Sequence, residues 1–344
     1  MACPLPTLTT ERVLLGHGSG GKLSAALFRE RILPKFANPI LAQQGDAAIC
    51  SFPGVSLAVS TDTFVVHPLE FPGGNIGTLA VNGTVNDLAM MGARPCYITA
   101  AFVLEEGLPL DVLDRVIDSM ARAADAAGVS IVGGDTKVVD RGKGDGLFIN
   151  TTGVGLVDSE FNPAPNGARP GDVVLVSGPV GRHGIAIMAV REGLEFGTEI
   201  TSDTACLVPL VDLLRSATAG DVSALRDPTR GGVASTLNEI AAASRVGIVI
   251  EENAVPVPTQ VRGACEMLGL DPLYVANEGV LVAFVPAACA VAALAALRSH
   301  PLGANAQRIG RVVETHPGLV VMRTVVGGTR VVDMLPGDQL PRIC

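Results

Sequence analysis

Four aspartates lie in small or apolar surroundings: Asp46 in Gly45-Asp46-Ala47-Ala48, Asp62 in Ser60-Thr61-Asp62-Thr63, Asp87 in Asn82-Gly83-Thr84-Val85-Asn86-Asp87, and Asp135 in Gly133-Gly134-Asp135-Thr136-Lys137. A carboxylate at the end of an apolar element is costly to desolvate unless something pairs with it. One such residue alone reads most simply as a helix or turn cap. Four of them in a chain that also carries a glycine-rich loop point to oxygen ligands for Mg²⁺, which takes a few carboxylates together with phosphate oxygens. The loop is Gly16-His17-Gly18-Ser19-Gly20-Gly21-Lys22. Its glycines allow backbone N–H groups to converge on a phosphate, and Lys22 adds charge. It is not a Walker A loop, because the spacing differs and neither Ser nor Thr follows the lysine. Read alone, it is as consistent with a flexible linker.

Three further constellations carry chemistry. Asp227-Pro228-Thr229-Arg230-Gly231-Gly232 runs straight into a helical pattern, so that the helix start and Arg230 could receive an anion; a salt-bridged turn is the plainer reading. Glu278, in Tyr274-Val275-Ala276-Asn277-Glu278-Gly279, precedes the most apolar strand of the chain. Desolvation there would raise its pKa toward an acid–base range, whereas a capping Glu in water would do nothing. Cys344 ends a stretch, Leu335 to Cys344, that holds two prolines, a glycine and no periodicity. It is expected to be an extended, mobile tail reaching roughly 33–36 Å, and a thiol on such a tail is exposed and nucleophilic. A prenylation box would need the cysteine four residues from the end, and taken alone Cys344 reads most simply as an accidental terminal cysteine. His17, His67 and His183 show no ligand spacing and are left as structural or substrate-contact residues.

The elements that must position these groups alternate between strand and helix, which predicts mixed α and β layers. Short strands are expected at Leu57–Ser60 and Val129–Val132, the latter leading into Gly133-Gly134-Asp135. A helix over Ile76–Met91 should bury Leu79, Val81, Val85, Leu88 and Ala89. A second, over Pro109–Ala127, repeats Leu110, Leu113, Ile117, Met120 and Ala124 every three to four residues, with Pro109 in its first turn and Gly128 as its stop. Turn formers crowd Phe161 to Gly171 and mark a domain boundary. The division expected is 1–160, an N-terminal domain that includes the glycine-rich segment; 161–334, a C-terminal α/β domain; and 335–344, the tail. Beyond the boundary, strands are expected at Asp172–Ser177, Asp221–Leu225, Gly247–Glu251 and Leu319–Thr324, and helices at Gly232–Ala243 and Thr259–Leu268. The apolar run Val280 to Leu297 is long enough to imitate a membrane span, but Pro286 divides it into a buried strand and an Ala-rich helix.

Bulk properties close off several classes. With 344 residues the chain can bury two cores. Its 25 basic and 34 acidic residues give a net charge of −9, and with 2 Tyr and no Trp it is a poor partner for nucleic acid. The 7 cysteines include no Cys-x-x-Cys pair, so neither a disulfide framework nor a zinc spacing is present, and buried reduced thiols of a cytoplasmic protein are expected. No basic segment followed by an apolar run opens the chain, so no signal peptide is expected.

Nearly the whole chain resembles the HypE family of hydrogenase maturation factors, within the ATP-binding superfamily of aminoimidazole ribonucleotide synthetase and selenophosphate synthetase. The resemblance is carried by His17-Gly18-Ser19-Gly20-Gly21, Thr61-Asp62-Thr63-Phe64-Val65-Val66, Phe71-Pro72-Gly73-Gly74-Asn75-Ile76-Gly77, Gly83-Thr84-Val85-Asn86-Asp87-Leu88, Gly133-Gly134-Asp135-Thr136-Lys137-Val138, Asp227-Pro228-Thr229-Arg230-Gly231-Gly232 and the ending Pro341-Arg342-Ile343-Cys344. It implies an α+β fold of two mixed α/β domains, a homodimer formed through the first, and ATP in a cleft of that domain. By motif, Asp46, Asp62, Asp87 and Asp135 would serve Mg²⁺ and ATP. Gly18, Ser19, Gly20, Gly21 and Lys22 would close on the phosphates, and Thr63, Asn86, Thr136 and Arg230 would add contacts. The implied activity is ATP-dependent dehydration of a carbamoyl group that a HypF-type partner loads onto Cys344. Lys137 and Glu278 are alternative bases, and the thiocyanate formed would deliver cyanide to iron on a HypC–HypD scaffold. Another kinase or synthetase of the superfamily, or an ATP-switched scaffold, are the rival readings. Selenophosphate synthetases would carry Cys or selenocysteine in the glycine loop, where this chain has His17 and Ser19.

Overall fold

The computed structural model describes residues 12–18, 21–36, 38–194, 199–335, 340 and 342–344. The strands, in chain order, are β1 (Ala48–Phe52), β2 (Val55–Phe64), β3 (Glu70–Phe71), β4 (Gly74–Asn75), β5 (Ala93–Glu105), β6 (Ser130–Val139), β7 (Leu147–Val157), β8 (Val173–Val176), β9 (Ala224–Arg226), β10 (Gly247–Glu251), β11 (Val282–Val285), β12 (Gln307–Val313), β13 (Val320–Arg323) and β14 (Thr329–Val331). Helices α1 (Lys22–Leu27) and α2 (Leu33–Phe36) precede them. The larger helices are α3 (Ile76–Met90), α4 (Leu110–Ala127), α5 (Arg182–Arg191), α6 (Val208–Ala217), α7 (Gly232–Ser244), α8 (Thr259–Leu268) and α9 (Ala290–Arg298).

The first sheet has the order β1-β2-β7-β5-β6, antiparallel except for the β5–β6 pair. Strand β2 runs well past the expected Leu57–Ser60, because Thr61, Asp62 and Thr63 go on pairing with Thr152, Thr151 and Asn150 of β7. Helix α3 starts where Asn75 Oδ1 accepts from the Gly77 and Thr78 N–H groups, a side-chain N-cap. It is buried nearly all round rather than on the single face expected, since β2 and β7 lie on one side and α4 and α6 on others. Gly83 makes this closeness possible: a Cβ there would lie 2.9 Å from the Phe64 ring. Helix α4 begins after Pro109, which is its N-cap and not its first turn, and stops at Gly128 in the left-handed region. Its packed stripe is Val116, Ser119, Met120 and Ala124, while Leu110 and Ile117 are exposed. The buried stripe is thus rotated from the one the apolar spacing suggested, because it is set by contact with α3. Strand β6 continues straight through Gly133-Gly134-Asp135 and, pairing among the described residues only with β5, is an exposed edge from Ser130 to Val138.

The second sheet, in the order β14-β13-β10-β12-β8-β11-β9, is antiparallel apart from β10–β13. Its two faces feed separate apolar clusters, one containing Val233, Leu237 and Ile240 of α7, the other Leu210 and Leu214 of α6 with Ala293 and Leu297 of α9. The apolar run at 280–297 divides into β11 and α9 around Pro286, and no helix among the described residues is long and apolar enough to cross a membrane. A third cluster joins the two halves, packing Phe64, Val66 and Phe71 against Ile185, Val261 and Val275.

Into that junction returns the end of the chain. The Val65 N–H donates to the Cys344 carbonyl at 3.0 Å and the His67 N–H to the Arg342 carbonyl at 3.3 Å, an antiparallel pairing. Ile343 is 3% exposed and, with Leu340, joins the cluster between the halves. Of the segment expected to be an extended, mobile tail, Leu340 and residues 342–344 are docked in this junction, with Arg342 in the left-handed region, and residues 336–339 and 341 lie outside the described residues.

Candidate functional site

Strand β2 and helix α3 bring Asp62 and Asp87 into a cleft, and Asp46 arrives on the segment before β1. From the second half, the turn after β9 supplies Asp227. One carboxylate oxygen from each of Asp46, Asp87 and Asp227 falls within 4.8 Å of the others. Ser60 Oγ donates to Asp87 Oδ2 at 2.7 Å, and Arg226 pairs with Asp46 at 2.8 Å and with Glu239 at 2.8 Å. Burial dominates the electrostatics. It lifts Asp46 to about 8 against the pull of Arg226, Asp227 to about 6, and Asp87 well above the usual carboxylate range, with Asp227, Asp46 and Asp62 reinforcing the last. The Asp46 Oδ2 atom, moreover, has no hydrogen-bond partner among the described residues. A cluster of acids short of positive charge, offering only oxygen donors and one orphaned carboxylate oxygen, fits a hard divalent cation such as Mg²⁺.

Beside this cluster lie Asp62, Arg230 and Glu278. The Thr63 N–H donates to Asp62 Oδ1 at 2.8 Å, and burial raises the Asp62 pKa while Arg230 lowers it. Glu278 is 4% exposed, and its Oε1 has no partner among the described residues. Burial, then the charges of Asp227, Asp62 and Asp203, hold it well above the usual carboxylate range. Asp203, raised by burial to about 6, accepts from the Glu278 N–H at 3.2 Å. The negative charge at Cys344 does most to raise the Arg230 pKa; burial opposes it, and Asp62, Glu278 and Asp87 add to it. Arg230 therefore links the docked end of the chain to the acids. The turn that carries it needs Gly232, where φ is +59° and a Cβ would lie 2.5 Å from the Leu273 carbonyl oxygen.

The glycine-rich segment approaches the same region. Arg230 Nη1 donates to the Gly18 carbonyl at 2.8 Å, the Lys22 N–H to the Leu335 carbonyl at 2.9 Å, and Lys22 Nζ pairs with Asp333 at 2.6 Å. Gly21 is buried; Ser19 and Gly20 lie outside the described residues.

Within one protomer, then, Asp46, Asp62, Asp87, Arg230, Glu278 and Cys344 converge. Asp135, Thr136 and Lys137 do not join them: they lie on exposed β6, where Lys137 pairs with Asp135 at 2.7 Å. Thr63 accepts from Asn150 Nδ2 at 2.9 Å. Asn86 is buried and joins the two halves, donating to the Ala205 carbonyl at 3.0 Å and accepting from the Leu207 N–H at 2.8 Å. Sequence reasoning missed Asp227 as a cluster acid because its motif was read as an anion-binding turn. Arg226 and Asp203 carry no motif signal; only the fold brings them in.

Comparison with known proteins places this arrangement. The family of AIR synthase related proteins matches twice, its N-terminal domain at residues 44–157 and its C-terminal domain at residues 169–322. That defines the class: an AIR synthase-type chain of two domains. Carbamoyl dehydratase HypE of Cupriavidus necator is 56% identical over 334 residues, covering 97% of this chain and 95% of the relative. A crystal structure of hydrogenase maturation protein HypE in complex with ATP is 51% identical, covers 97% of this chain and 100% of that one, and superposes with a TM-score of 0.81. A HypE–HypF complex contains a chain 46% identical with a TM-score of 0.86, covering 90% of this chain and 100% of that one. The chain belongs to the HypE family of carbamoyl dehydratases.

Proposed function

We propose that this protein is an ATP-dependent carbamoyl dehydratase that acts on its own Cys344, supplying the cyanide ligands of nickel–iron hydrogenase. The observation that carries the reading is the docked tail, which sets the charge of Cys344 against Arg230 at the edge of the acid cluster. Family membership and the ATP complex of a relative support it.

A HypF-type carbamoyltransferase loads Cys344 to give –S–C(=O)–NH₂. The carbamoyl oxygen attacks the γ-phosphorus of ATP, an O–P bond forms, the bond to ADP breaks, and one proton leaves nitrogen. Expulsion of phosphate with loss of the second nitrogen proton leaves –S–C≡N. Mg²⁺ held by Asp46, Asp87 and Asp227 would neutralise the phosphate charge during transfer. Arg230 orients the tail end and the transferring group. Glu278, kept proton-avid by burial, accepts a proton from nitrogen once it is ionised. Lys137 remains the alternative base, and Asp135 a further acid for Mg²⁺ or ATP. Both need β6 to be covered, and a homodimer formed across that edge strand, exposed in the protomer, would cover it. Gly18, Ser19, Gly20, Gly21 and Lys22, with Thr63, Asn86 and Thr136, are proposed for ATP. The product passes to a HypC–HypD iron scaffold, all in the cytoplasm.

Intact mass after incubation with the HypF-type partner, carbamoyl phosphate and ATP tests this. A gain of about 43 Da followed by a loss of about 18 Da is the expected sequence. An active partner that leaves no adduct would overturn the proposal.

A further inference from the structure

The tail is held by more than its apolar residues. Ile343 presents its carbonyl to His183 Nε2 at 2.8 Å, His183 Nδ1 meets Ser202 Oγ at 2.8 Å, and the Thr204 N–H donates to Ser202 Oγ at 3.1 Å. The directions of these bonds follow from chemistry. A carbonyl only accepts, so Nε2 carries the hydrogen. His183 is fully buried, which lowers its pKa to about 4 against the Ile343 bond, so the ring is neutral and Nδ1 is a bare acceptor. Ser202 must therefore donate its hydrogen to Nδ1, and it accepts from Thr204. Phe71 stands edge-on to the imidazole, centroids 5.6 Å apart and planes at 83°, which limits ring rotation. The chain of hydrogen bonds has one polarity from Thr204 to Ile343.

Arg342 is held separately. Its carbonyl accepts from Arg191 Nη2 at 2.7 Å, an atom that also donates to the His67 carbonyl at 2.7 Å. Its own Nε donates to the Val65 carbonyl at 3.1 Å, and its guanidinium pairs with Asp145. Upstream, a Cβ on Gly184 would come within 3.1 Å of Leu340 Cδ1 and 2.6 Å of Val275 Cγ1, so the wall of α5 is bare where Leu340 enters.

We propose that the junction between the two halves is a reading site for the tail, in which His183 and Ser202 hold the Ile343 carbonyl and Arg191 and Asp145 hold Arg342, so that these four are positioning residues that deliver Cys344 to Arg230. The inference rests on the dehydratase reading for its consequence, but the docking has its own readout. Asp145, Val65 and His67 come from the first half and His183, Arg191 and Ser202 from the second, so the tail is recognised only where both halves meet.

The test uses the full chain. Alkylation of Cys344 by iodoacetamide, followed on the C-terminal peptide by mass spectrometry, reports docking; conversion of the pre-carbamoylated protein reports dehydration. His183→Phe keeps a flat ring and removes the donor. It should raise the alkylation rate about tenfold and lower dehydration by a similar factor, the size of one lost buried hydrogen bond, with carbamoylation by the partner unchanged. His183→Gln restores an N–H donor and should recover part of both. Should the buried variants fail to fold, the surface pair decides: Arg342→Asp should free the thiol and slow dehydration, and Asp145→Arg in the same chain should reverse both effects. Wild-type alkylation and dehydration rates in His183→Phe, or in Arg342→Asp, would overturn the reading site. Failure of the wild-type chain to dehydrate would instead overturn the dehydratase, leaving the alkylation comparison to judge docking alone.

Discussion

Replacing Asp227 by Asn should make the metal-free protein more stable at neutral pH while weakening its grip on Mg²⁺–ATP. Burial, opposed by Arg226 and reinforced by Asp62 and Glu239, lifts this carboxyl from 3.8 to about 6 in the folded chain. In the unfolded chain it titrates as an ordinary aspartate. Below about pH 3 both states hold the proton, and the raised pKa takes nothing from stability. As the pH climbs through 4 to 6 the unfolded state ionises first, so stability falls, and above the folded pKa the loss is complete. Two pH units at about 1.4 kcal/mol each make that loss about 3 kcal/mol. Asparagine never ionises and escapes it. Urea unfolding in the presence of EDTA should therefore show Asp227→Asn more stable than wild type by about 3 kcal/mol at pH 7.5 and nearly equal to it at about pH 3. Calorimetric titration with Mg²⁺ and a non-hydrolysable ATP analogue should show weaker binding. A gain of the same size at both pH values, or none at pH 7.5, would refute the reasoning, because the carboxyl would then not be titrating between the two.

Cys344→Ala should abolish hydrogenase maturation and the mass changes while leaving ATP binding intact; maturation that survives it would remove the sulfur from the mechanism. Asp87→Asn, at a carboxyl that Ser60 orients, should weaken Mg²⁺–ATP binding about tenfold or more by calorimetry, the scale of one lost charged contact. Val138→Lys, on the exposed edge strand, should shift the protein toward monomer in sedimentation velocity and lower dehydration with it; an unchanged sedimentation coefficient would place the dimer contact elsewhere.

Sequence signals were strongest where they were local. Gly247–Glu251 and Thr259–Leu268 form the strand and helix expected at those bounds, and Pro286 splits the apolar run as its chemistry requires. Legibility failed where a neighbour decides the outcome. No periodicity reports that α3 will be wrapped on all sides, or that α4 will turn Ile117 outward. Strands β5, β7 and β12 escaped notice because their mixed polar and apolar residues acquire meaning only from partners distant in sequence. The same holds at the cleft. Asp46, Asp62, Asp87 and Glu278 could be singled out by the cost of burying a carboxyl, but Asp203 and Arg226 join them only through the packing of the second half against the first. Asp135 met the same criterion in sequence and lies on an exposed strand, since being flanked by glycines does not bury a side chain.

The hydrogen bond from the Lys22 N–H to the Leu335 carbonyl, with the Lys22–Asp333 pair beside it, fastens the glycine-rich segment to the root of the tail. Free-energy coupling between two such events is reciprocal. Any ligand that draws Lys22 toward itself changes how easily the tail leaves its groove, and a docked tail changes that ligand's affinity by the same factor. The two moving parts are thus a single thermodynamic cycle, and the affinity measured for one has meaning only with the state of the other specified.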